Sequence, residues 1–206
     1  MKKIYITFSI ICALALSSCS GFLDMSPSNS KTPSNAISTP ADAKVLINGI
    51  MRTLTSSSYY GRNSFLYGDA KGGALTIPAQ GRGYDNLYTF NHSATTGTYS
   101  GFWDTGYSCI EQLNTILQDI DKLTTDGDTD FDNCKGQALT LRALIYFDLV
   151  RLYGLPYNYD KSSYGVPLET APLSYNAQPT RTIVDSVYQQ ILSDLSSGAT
   201  LLSESK

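Results

Sequence analysis

Across residues 135–156 the apolar positions fall on two sides of a single helical period. Leu141, Ile145, Leu149 and Leu152 make one stripe, and Ala143, Tyr146, Phe147, Val150 and Tyr153 make another. Such a pattern predicts a helix with two helical neighbours rather than one. Gln137, Thr140, Arg142, Asp148 and Arg151 run between the stripes. Small residues at Ala138 and Ala143, with Phe147 four positions after Ala143, let a neighbouring helix approach closely, as in stacked helix pairs of the tetratricopeptide kind. Gly154 and Pro156 then stop the helix.

The same reading predicts three more helices. Residues 41–54 place Val45, Leu46, Ile50 and Leu54 on one face, and residues 102–123 repeat Trp103, Tyr107, Ile110, Leu113, Leu117 and Ile120 at helical spacing. Trp103 reads as a core anchor. A last helix is predicted from about Thr182, with Asp185 as the far member of a capping box and an inner face of Val184, Val187, Ile191, Leu195 and Leu202. Residues 56–98 and 157–179 show no helical period and read as irregular, and 124–130 as a polar connector. The expected class is all-α, with tetratricopeptide-like helix pairs and long irregular aromatic loops.

Composition narrows the setting. A chain of 206 residues with 42% hydrophobic content can bury one substantial core. Its first twenty residues differ from the rest: Lys2 and Lys3 precede an apolar run from Ile4 to Leu16, too short for the roughly 20 residues of a membrane-spanning helix. Leu16, Ser17, Ser18 and Cys19 resemble a bacterial lipobox, so residues 1–18 are expected to be a lipoprotein signal peptide and Cys19 the lipidated N-terminus. Acyl chains there would anchor the protein through about 0.8 kcal/mol per buried methylene. Residues 19–40, rich in Ser, Asn, Thr and Pro from Ser26, would serve as the tether, and 41–206 as the folded domain. Removing residues 1–18 takes two lysines and no acids, which leaves 13 basic against 18 acidic residues, a net of −5. No basic patch offers a nucleic acid a footprint.

Chemistry for catalysis or metal binding is not recognisable. The lone His92 has no nucleophile at a known motif spacing. Asp126, Asp128, Asp130 and Asp132 alternate as in a calcium loop, yet Phe131 stands where that loop needs glycine and no glutamate closes it. No cofactor and no enzyme activity are expected. Beyond Cys19, the mature chain holds Cys109 and Cys134. The first lies early in its helix, about 20 Å of rise from the end nearest the second, whereas a bridge needs Cα atoms within about 7 Å. Two unpaired thiols are expected.

The first irregular stretch is the most suggestive of binding. Tyr59, Tyr60, Tyr67, Tyr84, Tyr88 and Tyr99 alternate there with Asp69, Arg82, Asp85, Asn86 and Asn91. A pyranose ring packs its C–H face on an aromatic ring and needs donors and acceptors for its hydroxyls, which is what this mixture supplies. The alternative is that the tyrosines only cover helices and keep their hydroxyls in water.

Residues 136–147, GQALTLRALIYF, running into Tyr153, Gly154 and Pro156, resemble the signature helix of the SusD/RagB outer-membrane lipoproteins. The stretch Ile47-Asn48-Gly49-Ile50, the Tyr67-Gly68-Asp69 turn, Phe102-Trp103 ahead of Ile110 and Asn114, and Arg181-Thr182-Ile183-Val184 ahead of Tyr188, Ile191, Asp194 and Leu195 follow in the family's order. Gln137 departs from the glutamate usual in the family. The resemblance implies an incomplete SusD-like fold corresponding to the family's N-terminal portion. It also implies a lipid-anchored protein on the outer membrane, facing the exterior, that binds oligosaccharide or peptide and passes it to a TonB-dependent, SusC-like barrel. Asp69, Arg82, Tyr84, Asn86 and Tyr88 are the candidate ligand residues, taken by their position in the loop. A lipid-anchored helical scaffold that binds only protein or peptide is the competing expectation. On a truncated chain, Val184, Val187 and Ile191 would form an uncovered apolar patch.

Overall fold

The computed structural model describes residues 36–78, 84–91, 93, 100–123 and 129–202. All elements below lie in the unit that begins at Ile37. Helix α1 spans Pro40–Leu54, started by a capping box in which Asp42 donates its backbone N–H to the Thr39 hydroxyl while its carboxylate accepts from the Thr39 N–H. Its buried face is Ala43, Ile47, Ile50 and Leu54, not the expected stripe through Val45 and Leu46. Val45 is 68% exposed. The reason is continuity: positions 43, 47, 50 and 54 are all apolar, whereas the neighbours of Val45 along the helix are Asn48, Gly49 and Arg52.

The expected irregular stretch after α1 contains two helices, α2 (Asn63–Lys71) and a single turn, α3 (Asp85–Tyr88). Each buries few residues: Asn63, Tyr67 and Ala70 in α2, Leu87 in α3. Three inward positions within nine residues are too weak a periodic signal to stand out among glycines and serines. The chain reaches α2 through a tight turn at Gly61, where a Cβ would lie 2.6 Å from the Thr55 carbonyl oxygen. The expected Tyr67-Gly68-Asp69 turn is helical.

Helices α4 (Ser100–Leu123) and α5 (Thr129–Tyr153) form the central hairpin. They run antiparallel. Gly106 near the start of α4 meets Leu149 and Ile145 near the end of α5, and Asp121 near the end of α4 accepts a 2.6 Å ion pair from Lys135. Helix α6 (Val184–Leu201) returns along the other side of α5, with Gly198 against Gly136 and Val184 beside Gly154. A Cβ at Gly198 would come within 2.8 Å of the Thr140 hydroxyl, so the two helices touch nearly backbone to backbone. Helix α5 therefore has α4 on one side and α6 on the other, as its two apolar stripes predict, and α1 packs on both α4 and α5. Phe147 is the exception and lies on the surface.

Between α5 and α6 lie two short antiparallel strands, β1 (Tyr164–Pro167) inside the stretch expected to be irregular and β2 (Arg181–Ile183) where the last helix was expected to begin, pairing Tyr164 with Ile183 and Pro167 with Arg181. Strands of four and three residues leave no alternation to read. Helix α6 has Ile183, not a side-chain acceptor, at its N-cap. Asp185 instead accepts the Tyr157 hydroxyl at 2.6 Å. Val184, Val187 and Ile191 are buried against α5 rather than forming an open patch, joined inside by Asp194 and Gly198, while Leu195 and Leu202 are exposed.

Cys109 and Cys134 are both buried and unpaired, and burial pushes the Cys109 thiol up to about 11. Trp103 packs edge-on against Tyr153 at 4.9 Å and beside Tyr107 at 4.8 Å, a structural position as expected. Asp126, Asp128, His92, Tyr99 and Cys19 lie outside the described residues.

Burial also raises the hydroxyl pKa of Tyr59, Tyr60, Tyr107, Tyr146 and Tyr153, the last to about 12. Because the folded state holds these protons more tightly than the unfolded chain, their stabilising contribution is complete below about pH 10 and is lost as pH rises through the folded values. Phenolate absorbance is followed together with helical circular dichroism. The buried group should ionise only as the helices melt. Ionisation of every tyrosine with the helical signal intact would contradict this.

Candidate functional site

The segment that leads into α2 is pinned from inside. Tyr59 is fully buried, stacked on Phe102 at 4.0 Å, and its hydroxyl makes a long 3.4 Å bond to the Asp148 carboxylate, which also accepts from Tyr60 at 2.5 Å. Asp148 is itself buried and paired with Arg151 at 2.5 Å. Asn63, buried at the first position of α2, accepts from Arg62 Nε at 3.2 Å. Tyr67 continues the anchor with an edge contact to Phe102 at 5.6 Å. Of the six tyrosines in this stretch, Tyr59 and Tyr67 thus belong to the core and Tyr60 is half-buried.

With its inner side fixed, α2 turns a different set of groups outward. Phe65 and Asp69, four residues apart and therefore on one face, are both exposed. Phe65 is a flat ring that is 65% accessible. Arg62 caps the same end, with its guanidinium 5.3 Å over the Tyr84 ring at the start of α3. Helices α2 and α3 pack on one another, which sets α2, with the exposed Asp69, beside the helix that carries Asn86 and Tyr88. On α3, Tyr84 and Tyr88 are four apart and share a face, with Tyr88 38% exposed. Asn86 points away from them by about 200°. Arg82 lies outside the described residues.

Arg62 and Phe65 do not stand out in the sequence, where residues 56–98 show no helical period. An arginine three residues before a phenylalanine acquires meaning only once both are placed on a helix whose other face is buried. Chemically the edge offers one open aromatic face, a second half-open one, a guanidinium fixed by stacking and by Asn63, and a carboxylate. That set suits a ligand with apolar ring faces and hydroxyls. Among the described residues, no group of three or more His, Cys, Asp or Glu side chains could hold a metal ion.

The antiparallel helices, stacked side by side with an exposed aromatic and polar edge, define a helical scaffold. The chain belongs to the SusD-like family described as starch-binding and associating with the outer membrane, whose model matches residues 21–206. It is 29% identical over 198 residues to SusD-like protein P2 of Formosa agariphila, covering 95% of this chain and 37% of that protein. A SusD superfamily protein of Bacteroides thetaiotaomicron, 32% identical, superposes with a TM-score of 0.72 over 81% of this chain and 38% of its own. A putative sugar binding protein of Bacteroides vulgatus, 35% identical, superposes with a TM-score of 0.70 over 82% of this chain and 38% of its own. The chain therefore spans little more than a third of the length of these relatives.

Proposed function

We propose that this chain contributes part of the ligand surface of a cell-surface lipoprotein that binds oligosaccharide and delivers it to a TonB-dependent, SusC-like outer-membrane barrel. The observation that carries the reading is the exposed edge of Arg62, Phe65, Asp69, Tyr84 and Tyr88 in a member of a family described as starch-binding. A sugar-binding designation for a 35% identical structure supports it. Asn86 and Arg82 remain candidate contacts, and no catalytic role, cofactor or nucleic acid is part of the reading. Residues 1–18 would be removed, Cys19 lipidated, residues 19–40 would act as tether and 41–206 as the binding domain at the outer surface. No helix among the described residues is long and apolar enough to cross a membrane, so the acyl chains would supply the anchor.

A protein- or peptide-binding scaffold is favoured by a separate observation: Leu144 and Phe147 on α5 and Leu192 and Leu195 on α6 are exposed apolar side chains. The two readings part in one experiment. The chain from Ser20 onward is run through native gels containing soluble starch, laminarin and other polysaccharides, beside Phe65→Ala and Tyr88→Ala. Retardation by at least one polysaccharide is expected, weakened in each variant by about tenfold, the effect of losing about 1.4 kcal/mol. A folded wild-type chain retarded by none of them would overturn the glycan reading.

A further inference from the structure

From Glu169 to Leu173 the chain between β1 and β2 is fastened to the helices by side chains alone, because among the described residues no other backbone group pairs with this stretch. The Tyr146 hydroxyl donates to the Glu169 carbonyl and accepts the Glu169 N–H, both at 2.7 Å. The Asn114 amide donates to the carbonyls of Glu169 and Ala171 at 3.1 and 3.2 Å, and Arg142 donates to that of Thr170 at 3.1 Å. At the far end the Glu111 carboxylate accepts the Leu173 N–H at 3.2 Å. Every one of these contacts is to main chain. None of residues 169–173 packs in the hydrophobic core, so these bonds are what holds the stretch down.

The partners on the helix side are linked to one another. One terminal nitrogen of Arg142 serves both the Thr170 carbonyl and Asn114 Oδ1, while the rest of the guanidinium clamps Asp194 of α6. Asn114 and Tyr146 meet at the same Glu169 carbonyl. Tyr146, Asn114 and Arg142 are all buried. Lifting a single residue of the stretch would strand some of these groups away from both chain and water, at the full desolvation penalty, whereas lifting all of it admits water to every one at once. Partial opening is therefore the least favourable state. The two ends, by contrast, are fixed. Val166 of β1 is fully buried, and Arg181 of β2 donates to the carbonyls of Tyr153 and Gly165 while lying 5.4 Å over the Trp103 ring.

We infer that residues 169–173 are a clasp that opens and closes as one unit between fixed ends, wetting the buried Arg142–Asp194 pair each time it opens, while the helices and the β1–β2 ladder stay folded. Native-state amide exchange of the full chain tests this. Glu169 and Leu173 are expected to share one protection factor, at least about tenfold below those of Ile145 and Leu149 in α5. Glu111→Ala removes the acceptor at one end and should lower protection at Glu169 as well as at Leu173, each by about tenfold, the net effect of one hydrogen bond. Because Glu111 lies outside the core, that variant will fold. Tyr146→Phe should act in the same way from the other end. Thr170→Ala, whose side chain takes no part in these bonds, should change neither amide. Separate responses of Glu169 and Leu173 would overturn the clasp. Protection equal to that of Ile145 and Leu149 would overturn it too, since the stretch would then open only when the protein unfolds.

Discussion

Arg142→Ala is expected to lower the melting temperature by roughly 10 °C. Arg142 is buried between α5, α4 and α6, and its guanidinium uses nearly every donor: Nε and one terminal nitrogen clamp the Asp194 carboxylate at 2.8 and 2.7 Å, and the other terminal nitrogen reaches Asn114 Oδ1 at 2.8 Å and the Thr170 carbonyl at 3.1 Å. Truncation leaves Asp194 buried with only the Gln190 amide, at 2.8 Å, among its described partners. Stranding one member of a buried pair costs about 3–5 kcal/mol, and a domain of this size loses about 2–4 °C per kcal/mol. Removing both charges, as Arg142→Met with Asp194→Leu, is often neutral elsewhere. Here it should recover only part of the loss, because Thr170 and Asn114 still lack their donor at about 1–3 kcal/mol each. Thermal unfolding of the single and double variants decides it. A single variant melting within a few degrees of wild type would show that the pair contributes no net stability.

That residue also marks where sequence reading stopped. The two stripes of α5 were legible because Ile145, Leu149, Ala143, Tyr146 and Val150 recur at helical spacing, and the flanking helices α4 and α6 follow from the same rule. Arg142 and Asp148, lying between the stripes, looked like ordinary polar separators. Both are buried. Periodicity reports hydrophobicity position by position, whereas the burial of a charge depends on a partner 52 residues away at Asp194 or 88 away at Tyr60. The same limit applies to the proposed ligand edge. Its chemistry was read in outline from Asp69, Tyr84 and Tyr88, but the inward roles of Tyr59 and Tyr67 and the outward roles of Arg62 and Phe65 depend on which side of α2 meets Phe102. Where the chain is held by side chains rather than by a ladder or a hydrophobic stripe, as at residues 169–173, composition leaves no trace at all.

Asp148→Ala should weaken the fold by about 2–4 kcal/mol and, through Tyr59 and Tyr60, loosen the start of α2 that carries the proposed ligand edge. Three donors converge on this carboxylate, and they do not weigh equally. Arg151 is half-exposed and stacked on Phe147 at 4.3 Å, so it turns to water at little cost. The Tyr59 hydroxyl has no such escape, because the whole residue is buried, and Tyr60 is half-enclosed beside it. Both tyrosines immediately precede Arg62 and Asn63, so loosening them frees the start of α2 and with it the orientation of Arg62 and Phe65. Tyr60→Phe removes one hydroxyl and should cost no more than about 1.5 kcal/mol, with polysaccharide retention nearly unchanged. Phe147→Ala removes the stacking partner of Arg151 but leaves Asp148 and both tyrosines in place, and should likewise spare retention. The ordering is the test: Asp148→Ala must lose both melting temperature and retention, while Phe147→Ala keeps the second. Equal retention in all three variants would mean that the inner anchor does not govern the edge, and that α2 holds its shape through Asn63, Tyr67 and Ala70 alone.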